Sequence, residues 1–316
     1  LPTSRKAKIG VFCGGSGSSK FASAFYDFFK SNGRDPSSLG FIVNVADNFW
    51  FHGLYVCPDV DIITYALAGK LDTKKGWGRE GDSFDFLSAL SEITRSKQWF
   101  NLGDKDLALS VRRTELLKQG FSLSEITDFV RIALSIESKI IPATDDQLET
   151  RLKTPKGDLH LQEFWVKYKG RPQIRRVYCR GLKKATPTQE ALEFASSKAI
   201  ICPANPISSI YPSVNLKGMQ ERLRSSFVVA ISPFIGKKII SGPAVKMMRC
   251  CGIEASSFGV ANLYRNFLRL FFVDFHEEKE IVTKIRDLGI ECVKADIVVR
   301  TQEQGREIAR KICEIL

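Results

Sequence analysis

Histidine and methionine are scarce in this 316-residue chain, with three of each. His52, His160 and His276 stand far apart, and none has a serine or cysteine partner in a nucleophile arrangement, so no hydrolase triad is read. Long apolar runs are missing too. None approaches the roughly 20 residues that span a bilayer, which excludes a membrane helix. Leu1 to Lys6 is too short and polar to read as a secretory signal. The eight cysteines form no C-x-x-C pair, so neither a zinc site nor a redox motif is supported. Buried free thiols in a reducing cytoplasm are expected. No internal repeat, low-complexity segment or clean linker divides the chain.

What remains is a composition of 44% hydrophobic and 26% charged residues, that of a soluble globular protein with a substantial core. The net charge of +12 raises nucleic acid as a partner. Lys and Arg are spread along the chain and interleaved with acids, with no basic tail and no nucleic-acid motif, so that reading is set aside. A solvated positive surface is expected, with steering of small anions as its other use.

The stretch Lys8-Ile-Gly-Val-Phe-Cys-Gly-Gly-Ser-Gly-Ser-Ser-Lys20 organises the rest. An apolar strand breaks into glycines and enters a helix read over 21–30. Backbone N–H groups near glycines, together with a helix N-terminus, suit an anion. The spacing is neither a P-loop nor G-x-G-x-x-G. A plain strand-to-helix turn fits Gly14, Gly15, Ser16 and Gly17 equally well. A second strand at 39–46 completes a βαβ unit, and with it a parallel sheet flanked by helices. Ligands of such sheets bind at the carboxyl ends of the strands, where Asp47 lies. Pro58-Asp59-Val-Asp61 opens a helix that Gly69 closes. Two acids in a first turn suit the helix dipole. With Asp47, they also make a set of oxygens for a hard cation.

Residues 71–186 read as an insertion, first of helices and then of a hairpin at 148–168. A strand at 140–144 lies between them. Asp104 and Asp106 read as caps or as holders of a polar ligand. Strand–helix alternation resumes at 187, with polar loops after the strands at Pro203-Ala-Asn205-Pro206-Ile-Ser208-Ser209 and Ser232-Pro233. Further strands are read at 268–275 and 290–299, and a last helix at 302–316. The expected architecture is therefore one α/β domain over 1–316. Its Rossmann-like three-layer core, with a mostly parallel sheet, covers about 8–70 and 187–316.

Taken in order, these blocks resemble the 2-phospho-L-lactate transferase family of coenzyme F-420 biosynthesis. Those carrying the likeness are Gly14-Gly15-Ser16-Gly17 with Lys20, Asn44 to Asp47, Pro58 to Asp61, Trp77-Gly78, Leu102 to Asp106, Pro142 to Asp146, Gln162 to Trp165, Asn205 to Ile210, Ser232 to Gly236 and Ser241 to Ala244. The resemblance implies Mg²⁺-dependent transfer of a phospholactyl group from lactyl-2-diphospho-5'-guanosine to the deazaflavin FO, releasing GMP. It implies Asp47, Asp59 and Asp61 as metal ligands, with Asp47 and Asp61 catalytic. Asp61 and Asn101 lie near FO; the glycine block, Lys20, Asn205, Ser208, Ser209 and Ser232 face phosphate and nucleotide. The expected partners are these small molecules, with no nucleic acid and no membrane, in a cytoplasmic chain that can pair as a homodimer. Departures bear on the donor. Ser16 stands for a usual Thr, Asn48 for a frequent acid, Lys105 for Arg and Ser110 for a frequent His. Relatives use phosphoenolpyruvyl or phosphoglyceryl donors. The reading from another class is a non-catalytic nucleotide-sugar-binding regulator of the gluconeogenesis-factor type.

Overall fold

The computed structural model describes residues 8–236, 238–239 and 242–316; the leader reading at Leu1 to Lys6 and residue Ser241 lie outside them. The first half runs β1 (Ile9–Cys13), α1 (Gly15–Ser31), β2 (Leu39–Val43), β3 (Phe49–Phe51), β4 (Leu54–Val56), α2 (Pro58–Leu67), α3 (Asp85–Thr94), α4 (Asp104–Lys118) and α5 (Leu123–Ala133). It continues with β5 (Lys139–Pro142), β6 (Glu149–Thr154), β7 (Gly157–His160), a π-turn (Glu163–Lys167) and β8 (Arg176–Arg180). Then come α6 (Gln189–Phe194), β9 (Lys198–Ile201), a second π-turn (Pro206–Ile210), α7 (Tyr211–Val214), α8 (Met219–Arg224), β10 (Phe227–Ile231), β11 (Phe234–Ile235) and β12 (Lys238–Ile239). The chain ends with α9 (Ala244–Cys250), α10 (Ser257–Tyr264), β13 (Leu270–Asp274), α11 (Lys279–Asp287), β14 (Glu291–Ala295) and α12 (Gln302–Ile315).

Seven strands form the central sheet in the order β14-β13-β10-β9-β1-β2-β5, and every neighbouring pair is parallel. Helices cover the sheet, which is why β1 and β2 are apolar along their whole length, β13 is apolar up to its last residue Asp274, and all three are buried. This is the Rossmann-like α/β architecture expected. The strand order reverses between β1 and β9, so the crevice at their carboxyl ends is the topological switch point.

Several boundaries differ from the expected ones. Helix α1 begins at Gly15 rather than at 21, so the glycines form its first turn. First-turn residues have no intrahelical acceptor to satisfy, and glycine is tolerated there as it is not mid-helix. β2 stops at Val43: the Asn44 N–H makes a last bond to Cys13 O, and the Asn44 side chain turns the chain by accepting from the Ala46 N–H. β14 ends at Ala295, and 296–299, expected as strand, leave the sheet. β5 falls within the stretch expected as an insertion yet joins the core sheet. The hairpin at 148–168 acquires a third strand, β8, giving the order β7-β6-β8.

Candidate functional site

A cavity of about 830 Å³ opens at the switch point. It is lined by the first turn of α1, Gly15 to Gly17 with Lys20, and by the aromatic side chains of Trp77, Phe100 and Trp165. Its floor carries Asp47, Asp59, Asp61 and Asp106.

Gly14 caps α1 at a place where any side chain would collide. A Cβ there would lie 2.7 Å from Asp59 Oδ2, 3.0 Å from Asn44 Cβ and 3.1 Å from Ser209 Cβ. The glycine block thus serves close packing as well as anion access. The Gly14 N–H donates to Ser18 Oγ at 3.0 Å, and Ser18 Oγ donates back to Gly14 O at 2.8 Å. Gly15, with φ of +65°, uses the left-handed freedom of glycine to turn from strand into helix. Beyond it, the amides of Ser16 and Gly17 are first-turn donors of the kind that bind anions.

Asp59 and Asp61 part company. Both stand in the first turn of α2, two residues apart, and such residues do not face the same way. Asp59 turns towards β1 and accepts from Asn44 Nδ2 at 2.9 Å. Asp61 turns towards α4, where the buried Arg113 donates from Nη2 to its Oδ1. Arg113 also donates from Nη1 to Tyr55 O at 3.2 Å, tying α4 to the β3–β4 hairpin. Among the described residues no three His, Cys, Asp or Glu side chains gather as a self-sufficient metal cage. The three-acid set Asp47, Asp59 and Asp61 is therefore not formed as expected: the helix geometry gives Asp61 to a guanidinium.

Asp47 and Asp59 stay together. Burial raises the pKa of Asp47 well above the usual carboxylate range, and the neighbouring Asp59 raises it further. Asp59 is raised by burial, against the hydrogen bond from Asn44 and the nearby Gly15 amide. Asp47 Oδ1 is buried and has no hydrogen-bond partner. Two desolvated carboxylates side by side, one with an unpaired oxygen, fit Mg²⁺, which takes one or two carboxylates and fills its shell with phosphate and water.

Asp106 reads in the sequence only as a cap or a holder of a polar ligand. It lies on the floor beside Asp61, and burial, with the Asp61 charge, pushes it up to about 6. Its Oδ1 and the Tyr65 hydroxyl lie side by side without a good hydrogen bond. Sequence reasoning missed Arg113 and Tyr65 in this cluster, and no local motif marks either. Asn44 enters the sequence reading only within its block, although a polar residue ending a buried strand is itself a signal.

The remaining expected residues divide. Asn101, Asn205, Ser208 and Ser209 line the cavity. Asn205 is also occupied as a cap, accepting from the Ile207 and Ser208 amides at 3.0 and 3.3 Å. Ser232 does not reach the cavity. It is fully buried, 2.8 Å from Ser257 Oγ, and accepts from the Phe234 N–H, so its hydroxyl closes a turn. Residues 297–300, released from β14, line the cavity in its place.

The sequence profile of the 2-phospho-L-lactate transferase CofD family matches residues 9–312. Among similar curated proteins, the 2-phospho-L-lactate transferase of Methanosarcina mazei is 33% identical over 306 residues, covering 96% of this chain and 99% of the relative. That of Methanopyrus kandleri is 32% identical over 318 residues, covering 98% and 97%. That of Methanocaldococcus jannaschii is 34% identical over 282 residues, covering 87% and 89%. A crystal structure of a UPF0052-family protein from Bacillus halodurans superposes with a TM-score of 0.62 and 17% identity, covering 97% of this chain and 99% of that one. That likeness is one of fold.

Proposed function

Because this chain belongs to the 2-phospho-L-lactate transferase CofD family, we propose that it moves a phospholactyl group from lactyl-2-diphospho-5'-guanosine to the terminal ribityl hydroxyl of FO, giving coenzyme F-420 without glutamates and GMP. The observation carrying this is one cavity lined together by a helix start suited to anions, by aromatic side chains and by carboxylates. Such a cavity suits two substrates of opposite character that meet over the floor.

The amides of Ser16 and Gly17, with Lys20, cradle the diphosphate. Asn205, Ser208 and Ser209 line the guanosine side. Trp77, Phe100 and Trp165 form the platform for the deazaflavin ring, with Asn101 at its edge. Asp47 and Asp59 would hold Mg²⁺. When bound, the ion neutralises charge on the phosphates during in-line displacement. Asp61 orients the attacking hydroxyl and accepts its proton, and Arg113 fixes which carboxylate oxygen is free to do so.

The regulator reading shares the glycine turn and the fold but has no use for a deazaflavin platform. Incubating the protein with Mg²⁺, FO and each of the three guanosine donors, followed by mass analysis, tests the proposal and selects the donor. A phospholactyl-FO product is expected; no new deazaflavin with any donor refutes it.

A further inference from the structure

The positive charge is less evenly spread than the chain-wide interleaving suggests. Residues 151–184 hold eleven Lys and Arg against two acids, a net +9 out of the chain's +12. This segment is the β6-β7-β8 sheet with its π-turn and loops, short of the first two residues of β6, Glu149 and Thr150, and it contributes Gln162, Trp165 and Val166 to the cavity lining.

Its few ion pairs are local. Arg151 and Arg180 both pair with Glu149 and Asp158 across the register of the small sheet. The other nine cations are exposed, and among the described residues no carboxylate pairs with them. Three of these, Lys167, Lys169 and Arg171, follow Trp165 within six residues, on a turn held in place. Gly170 packs against the Trp165 ring, where a Cβ would lie 2.9 Å from Cε3, and Lys246 Nζ donates to Gly170 O at 2.7 Å. Lys20, Lys75 and Arg300 are further cations in the cavity lining. The cavity is therefore acidic at its floor, carries cations elsewhere in its lining, and adjoins the basic segment through Gln162, Trp165 and Val166.

We infer that the basic segment 151–184 is an electrostatic collector that draws the polyanionic guanosine diphosphate donor to the cavity. The inference rests on the functional reading above and adds what that reading does not contain, a role for surface charge away from the reacting atoms. A collector of this kind acts on encounter. It raises the association rate, leaves dissociation and turnover alone, and fades as salt shortens the screening length to roughly 8 Å at physiological ionic strength. It acts far less on an acceptor that carries no phosphate, so acceptor affinity is kept.

The test is stopped-flow association of GDP with the whole protein and with the triple variant Lys167→Gln, Lys169→Gln, Arg171→Gln, across a salt series. A control variant removes the same charge from α12 through Arg306→Gln, Arg310→Gln and Lys311→Gln. The first variant is expected to associate about 3- to 10-fold more slowly at low salt, to converge with wild type at high salt, and to keep its dissociation rate and FO affinity. Equal association rates at every salt concentration, an equal loss in the α12 control, or no measurable GDP association each overturns the inference. Steered GDP association without any deazaflavin product leaves the collector standing and refutes the transferase reading instead.

Discussion

At the scale of single residues, the partition of the four floor carboxylates decides what the site can do. Asp61 is paired with Arg113, which counters the upward push of burial on its pKa, while Asp47 and Asp59 share a desolvated corner. Removing one partner of a buried pair leaves a bare charge, which costs about 3–5 kcal/mol. Arg113→Met is therefore expected to lower stability by that amount in urea unfolding, and the double variant with Asp61→Asn to recover most of it. Additive losses in that cycle would dissolve the pair. The Asp47–Asp59 corner makes the opposite kind of prediction. Both pKa values are raised, so the corner favours folding at acid pH and opposes it as pH rises and the pair ionises. Mg²⁺ at neutral pH should raise the melting temperature of wild type, and the rise should vanish in Asp47→Asn. His160 runs the other way from that corner. Burial, with Arg151 nearby, pushes it down to about 4. The unfolded chain takes up that proton near the ordinary 6.5, so stability is held above that pH and lost as pH falls towards 4, on the order of 3 kcal/mol in all. His160→Asn keeps the ring's acceptor role for the Gln162 N–H and should flatten the acid limb of a stability–pH curve.

Secondary-structure elements were legible in the sequence where one face or both is apolar. The strands of the parallel sheet and the Pro58 start of α2 follow from local chemistry. The early start of α1 did not, because glycines read as breakers unless their place in a first turn is known. The β3–β4 hairpin was hidden in an aromatic loop. Its turn is His52-Gly53, both with positive φ, the two-residue turn that matches strand twist. Gly53→Val is expected to cost the protein about 1 kcal/mol through backbone strain alone, because a Cβ there meets open space. An unchanged denaturation midpoint would mean the hairpin does not hold that turn. The candidate site was legible in part for the same reason. The strand ends bearing Asp47 and Asn205 can be located from the alternation, but the rotation that sends Asp61 to Arg113 on α4 involves an element more than fifty residues away.

For the whole molecule, the parallel sheet and the switch point set the site, and the parts outside the sheet complete it. Helix α4 brings Arg113 and Asp106, and the small antiparallel sheet with its π-turn brings Trp165 and the basic segment. A contiguous insertion was the natural reading of 71–186, because helix-rich and hairpin patterns interrupt the βα rhythm. Strand β5 shows that the chain returns to the sheet midway. The account's central claim is that guanosine donor and FO meet in this one cavity and exchange a phospholactyl group. The direct measurement is a single incubation of protein, Mg²⁺, lactyl-2-diphospho-5'-guanosine and FO, with GMP and deazaflavin species quantified together. The account predicts a phospholactyl-deazaflavin and GMP rising in equal amounts. GMP released without a new deazaflavin, or neither product formed, would contradict it.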